Sequence, residues 1–193
     1  MSEYLSGKIL WRKLELLIAK KQGVEGLLSR MKLNWPQAVT PTAELIMRIY
    51  RLNDLAFRNA RQRTARHGLS FTEFEVLATL RSTASPHELA PTELYGSILV
   101  SSGGLTKMLH SLQRRRLISR SQDKNDRRSL RVRLTAAGRR VAEGVMADVQ
   151  CADGELLSAG LSRREIARLI TLVRQLLLAI ELGQRKSDYY PHA

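Results

Sequence analysis

The sequence predicts a mainly α-helical protein with one small β-hairpin (α+β), and three observations carry that reading. Apolar residues recur at spacings of three and four through most of the chain, the mark of helices with one buried face. Only one stretch alternates strictly. Leu130, Val132 and Leu134 are set to point one way and Arg131 and Arg133 the other, a half-buried strand. It pairs naturally with Leu117-Ile118 across residues 121–129, a turn with no apolar residue. Basic charge gathers at this hairpin. Residues 113–140 hold ten Arg and one Lys against two Asp, a local balance of +9 in a chain of net charge +14. Like charge at that density destabilises a compact state unless a polyanion compensates it.

In chain order, residues 3–31 predict a helix with an apolar stripe of Leu5, Ile9, Leu10, Leu14, Leu17 and Ile18, broken or ended at Gly23 and Gly26. Residues 32–40 form a connector, extended before Pro36. Thr40 caps the next helix, and Pro41 sits at its first position, where a missing N–H costs nothing. That helix spans about 41–66, with Leu45, Ile49, Leu52 and Ala56 along one side. It ends in cations suited to the negative end of the helix dipole and stops at Gly68. A further helix starts near Phe71, capped by Ser70 or Thr72, with Phe74, Leu77 and Leu80 as its core stripe. After a loop over 82–88, Pro91 opens a short helix.

The stretch 89–134 then reads as helix, turn, helix and two-stranded hairpin. Ser101 caps the second helix, whose apolar face is Leu105, Met108, Leu109 and Leu112. Its opposite face carries Thr106, Lys107, His110 and Arg114, groups that reach phosphates or base edges. Thr135 to Gly138 start a long helix to about Ala159, and Ser162 with Glu165 forms a capping box for the last one. The last helix carries a band of Ile166, Leu169, Ile170, Val173, Leu176, Leu177 and Ile180, too broad for a lone surface helix, which predicts burial against a second subunit.

The length of 193 residues suits one domain, or one domain plus an extension. A pI near 10.7 favours an anionic partner, nucleic acid before membrane surface. No apolar run spans a bilayer and the N-terminus does not read as a secretory signal. The single cysteine, Cys151, makes no internal disulfide and fits a reducing cytoplasm; a structural role is favoured over a redox one. An enzyme is not indicated. His67, His87, His110 and His192 lack metal-ligand spacing, Asp123 and Asp126 sit in a basic turn, and no phosphate loop or nucleophile elbow is present. No cofactor is implied.

Three features together, the SSGGLTKMLHSLQRRRLI stretch, Asp126-Arg127-Arg128 and the closing Leu134-Thr135-Ala136-Ala137-Gly138, resemble the winged helix-turn-helix of the MarR (multiple antibiotic resistance regulator) family over roughly residues 42–182. The resemblance implies a winged helix-turn-helix with flanking dimerisation helices. It divides the chain into a helical extension and connector (1–40), a helical dimerisation region (41–68 and 136–185), the DNA-binding domain (69–135) and a tail (186–193). The implied function is a homodimeric, cytoplasmic, sequence-specific regulator, a repressor that a small ligand releases from a pseudo-palindromic operator in double-stranded DNA. Ser101, Ser102 and Gly103 would meet phosphate or base edges, and Thr106, Lys107 and His110 the major groove. Arg114, Arg115 and Arg116 would meet phosphates. Arg128 would enter the minor groove, oriented by Asp126, with Arg127 at phosphate or solvent. Relatives commonly carry Gly where Arg116 stands, so a left-handed turn there would cost on the order of 1 kcal/mol. The family's pocket for phenolic or other aromatic acids would draw on Asn53, Arg58, Arg61, His67, Phe71 and Phe74. Two other readings stay open: a sequence-tolerant architectural binder of nucleic acid, and a membrane-surface or protein-interaction module built on residues 3–31.

Overall fold

Local sequence chemistry sets most element boundaries. The computed structural model describes residues 23–97, 102–122 and 130–189, as seven helices, one 3-10 turn and three short strands. The chain falls into two compact units, residues 1–59 and 60–193.

In the first unit, α1 (Val24–Asn34) is followed by the 3-10 turn Pro36–Ala38 and by the first part of α2 (Pro41–Arg66). Leu27, Leu28 and Met47 form its small core. Charge pairs reinforce it: Lys32 Nζ lies 2.7 Å from Glu44, and Arg48 bridges Glu25 and Glu44 at 2.9 Å each. The hydrogen bonds from Lys32 and then Arg48 hold the Glu44 carboxyl below its ordinary range. Two expectations change here. Gly23 is the N-cap of α1, whereas Gly26 lies inside it. The helix also runs to Asn34, so the connector starts later than residue 32. The stripe expected over 3–18 lies outside the described residues.

Thr40 caps α2 as expected, its Oγ1 accepting from Ala43 N at 3.2 Å. The helix ends at Gly68, whose φ of 65° is the left-handed conformation that glycine adopts without strain. Leu69 N to Thr64 O (3.2 Å) and Gly68 N to Ala65 O (2.9 Å) complete a Schellman stop.

The second unit holds the principal core. α3 (Phe71–Ser82) is opened by a full Ser70–Glu73 capping box, and Ser70 rather than Thr72 is the cap. β1 (Glu88–Leu89) precedes α4 (Pro91–Ser97) and α5 (Ser102–Arg114), and the hairpin is β2 (Ile118–Gln122) with β3 (Leu130–Leu134). α6 (Ala136–Ser158) and α7 (Arg163–Tyr189) follow. Thr135 caps α6 by accepting from Gly138 N at 2.9 Å. Ser162 and Glu165 exchange the capping-box bonds ahead of α7. Leu77, Leu80, Leu94, Leu112, Val132 and Val145 are wholly buried between these elements, each burial worth roughly 1.5–3 kcal/mol.

Among the described residues the sheet has three strands, not the two expected. The order is β1-β3-β2, all antiparallel, with β3 in the middle. Glu88 pairs Arg133 and Leu89 pairs Val132 on one side of β3; Ile118 pairs Leu134 and Gln122 pairs Leu130 on the other. The alternation predicted for β3 holds at Val132 and Leu134, both buried, and fails at Leu130, which is 46% exposed. Leu130 ends the strand at the tip side, beyond reach of the core. α7 continues to Tyr189, past the expected tail boundary at 186.

Candidate nucleic-acid interface

α5 divides into two faces as its sequence requires. Leu105, Leu109 and Leu112 are buried in the main core and Met108 packs against it. Thr106, Lys107, His110 and Arg114 are exposed on the other side. Ser102 and Gly103 lie in the first turn of α5. Ser101 and the hairpin tip, with Asp126, Arg127 and Arg128, lie outside the described residues.

Arg116 sits just past α5 with a φ of 57°, the left-handed region. Leu117 N bonds Leu112 O at 3.0 Å and Arg116 N bonds Gln113 O at 2.9 Å, a Schellman stop built on an arginine. The turn therefore keeps the geometry expected of a glycine. Arg116 O in turn accepts from Thr135 Oγ1 at 2.8 Å. The side chains of Arg114 and Arg116 are both exposed.

Arg115 is engaged within the chain. Its Nη1 donates to Gly68 O at 3.0 Å and lies 4.0 Å from Glu73 Oε2, so the scaffold holds it. Arg131 reaches Glu93 at 3.3 Å, and Arg133 reaches Glu88 at 2.8 Å. These arginines of the basic stretch are matched to carboxylates of α3, α4 and β1. The positive field of residues 113–140 is correspondingly weaker than a charge count suggests. Glu93, the third residue of α4, also accepts from Ala90 N at 2.6 Å, the return half of a capping box.

Glu73 is the most connected carboxylate here. It accepts from Ser70 N (2.9 Å) and Ser70 Oγ (3.2 Å) through Oε2, and from Ser111 Oγ (2.8 Å) through Oε1. Burial pushes its pKa up, but the bonds from Ser70 and Ser111 and the Arg115 charge outweigh it and hold the carboxyl below its ordinary value. The sequence gives capping-box character to Thr72–Glu75, whereas the box forms between Ser70 and Glu73, and the link to α5 is not visible in the sequence.

The six residues expected to line a ligand pocket are largely engaged. Phe74 is 5% exposed in the core. His67 Nε2 lies 2.6 Å from Asp148 Oδ2. Arg58 pairs with Asp54 at 2.7 Å. Phe71 is half-buried with its ring 6.4 Å from that of Phe74; Asn53 and Arg61 are exposed. Cys151 is exposed in the single chain rather than in its core, its Sγ 3.7 Å from Glu155 Oε1. Among the described residues, no helix is long and apolar enough to cross a membrane.

The model of the MarR family matches residues 69–130, from the start of α3 into β3. An uncharacterized HTH-type transcriptional regulator, YkoM of Bacillus subtilis, is 30% identical over 136 residues, covering 68% of this chain and 86% of YkoM. The chain belongs to the MarR family. PecS of Dickeya dadantii, an HTH-type transcriptional regulator, is 31% identical over 74 residues, which cover 38% of this chain and less than half, 45%, of PecS. Among solved structures, apo wild-type MarR from E. coli is similar with a TM-score of 0.63 and 27% identity over 72% of this chain and 98% of that one. A MarR mutant from E. coli in complex with operator DNA is similar with a TM-score of 0.57 and 25% identity, covering 76% of this chain and 97% of that one. As a MarR-family protein the chain is a transcriptional regulator with a winged-helix DNA-binding fold, and its relatives are regulators, not enzymes.

Proposed function

We propose that this MarR-family chain acts as a homodimer in the cytoplasm, binds a pseudo-palindromic operator and represses transcription until a small ligand releases it. The observation that carries the reading is the apolar face of α7. Leu169, Ile170, Val173, Leu176, Leu177 and Ile180 are all exposed along one helix, Ile170 at 62%. A continuous apolar surface of this kind marks an interface, and a second copy of the same face satisfies two-fold symmetry. Residues 41–68 and 136–185 then pair the subunits while 69–135 contact DNA.

In this reading Thr106, Lys107 and His110 enter the major groove, with Ser101, Ser102 and Gly103 at its edge. Arg114 and Arg116 meet phosphates, and Arg127 joins them from the hairpin. Arg128 enters the minor groove with Asp126 orienting it. The operator complex of the similar E. coli MarR mutant supports the docking mode. The effector is an aromatic acid, with Asn53, Arg58, Arg61, His67, Phe71 and Phe74 as its candidate contacts. A thermal-shift panel of aromatic acids tests that part, since a ligand of the folded state raises Tm.

Fluorescence anisotropy with a promoter fragment tests the main claim. Arg128→Ala should weaken binding and flatten the salt dependence by about 0.9 in slope for each phosphate no longer neutralised. Unchanged affinity and slope refute the hairpin assignment. Loss of the fragment to excess unrelated duplex refutes sequence-specific regulation.

A further inference from the structure

We propose that Glu73 is a positioning residue for DNA reading, its carboxylate fixing the roll of α5 about the helix axis. The inference deepens the reading of α5 as the groove-facing helix and rests on it. Glu73 uses its two oxygens for two tasks. Oε2 closes the capping box of α3 on Ser70, while Oε1 takes the Ser111 hydroxyl of α5 at 2.8 Å. Arg115, one turn on from Ser111, lies 4.0 Å from the same carboxylate and donates to Gly68 O at 3.0 Å. The last turn of α5 and the residue just after it are thus tied to the corner between α2 and α3.

The place of these ties on α5 gives them their effect. A helix turns about 100° per residue. Ser111 and Arg115 therefore fall on the flank between the buried face of Leu105, Leu109 and Leu112 and the exposed face of Lys107, His110 and Arg114. Leucine packing is non-directional and resists a small roll only weakly. A hydrogen bond to a carboxylate on the flank is directional and strong. Base edges are read by bonds that weaken steeply with angle. Phosphates are held by charge, with little angular demand. Cutting the tie should therefore lower specificity more than affinity for DNA as such.

The test uses the full-length protein, a duplex it selects from a random-sequence library, and a scrambled duplex of equal length. Ser111→Ala leaves the capping box intact and Glu73→Gln weakens both tasks. Each should lower the ratio of selected to scrambled affinity about tenfold, the size expected when one charged hydrogen bond is removed. The double variant should be no worse than the poorer single, and Ser111→Thr, which keeps the hydroxyl, should restore the ratio. Lys107→Ala and Arg114→Ala run alongside. If these weaken binding while Ser111→Ala and Glu73→Gln leave the ratio unchanged, the positioning role is wrong. A parallel fall in both affinities, tracking a fall in Tm, also overturns it. If Lys107→Ala and Arg114→Ala change nothing, the groove-facing reading fails and takes this inference with it.

Discussion

Gly138, the fourth residue of the L-T-x-x-G closure after its leucine, should tolerate no side chain. A Cβ at this position would lie 1.9 Å from Leu117 O, 2.9 Å from Leu117 C and 2.9 Å from Leu134 Cδ1. A carbon–oxygen contact settles at about 3.3 Å or more, so the carbonyl would have to retreat by more than about 1 Å. That carbonyl is not idle: it accepts from Thr135 N at 3.1 Å and from Thr135 Oγ1 at 3.0 Å. Breaking both bonds costs about 2 kcal/mol, and displacing buried Leu117 and Leu134 adds about 1–3 kcal/mol. Alanine returns about 1 kcal/mol through helix propensity. The expected net cost of Gly138→Ala is about 2–4 kcal/mol, a Tm roughly 4–15 °C lower. Urea titration at fixed protein concentration measures it. A variant within about 0.5 kcal/mol of the parent, the range of an ordinary surface change, would falsify the close-approach argument.

Three further outcomes follow from the same geometry. Arg116→Gly should raise stability by about 1 kcal/mol by relieving the left-handed turn, while DNA binding weakens through one fewer neutralised phosphate and about 0.9 less salt slope; a variant neither more stable nor weaker on DNA removes both claims. Glu73→Gln should cost about 1–2 kcal/mol at pH 7. Because the Glu73 carboxyl is held below its ordinary value, its stabilisation is full above the unfolded value of 4.5 and fades as pH falls through the folded one. Denaturation at several pH values should show the gap between parent and variant closing in acid, and a constant gap would contradict it. Val173→Glu or Leu177→Glu should turn the assembly monomeric in sedimentation velocity, since each buries a charge in an apolar contact; an unchanged sedimentation coefficient would place the subunit interface elsewhere.

The sequence made the helices legible because caps and periodicity are local. Thr40 and Ser162 cap where the sequence puts them, Ser70 is one of the two caps it offers for α3, and Thr135 stands at the helix start it marks. β1 was not legible, because two residues carry no period; Glu88 and Leu89 become a strand only by pairing with β3. Leu130 shows the converse: its alternation is correct, but the core ends before it does. On the candidate interface, the exposed polar face of α5 was readable from spacing. The partners of Arg115, Arg131 and Arg133 were not, since Glu73, Glu93 and Glu88 lie 38 to 45 residues away in the chain. Counting charge gave the sign of the surface and overstated its strength. The left-handed Arg116 was foreseeable as a cost, and the structure shows that the chain bears that cost with the turn intact.

Thr135 has a mechanical consequence. One hydroxyl closes the first turn of α6 through Gly138 N and reaches back to the carbonyls of Arg116 and Leu117. The foot of α6, the last turn of α5 and the root of the hairpin are thereby riveted into a single joint. A tilt of α6 would therefore be expected to carry the end of α5 and the root of the hairpin with it as one lever.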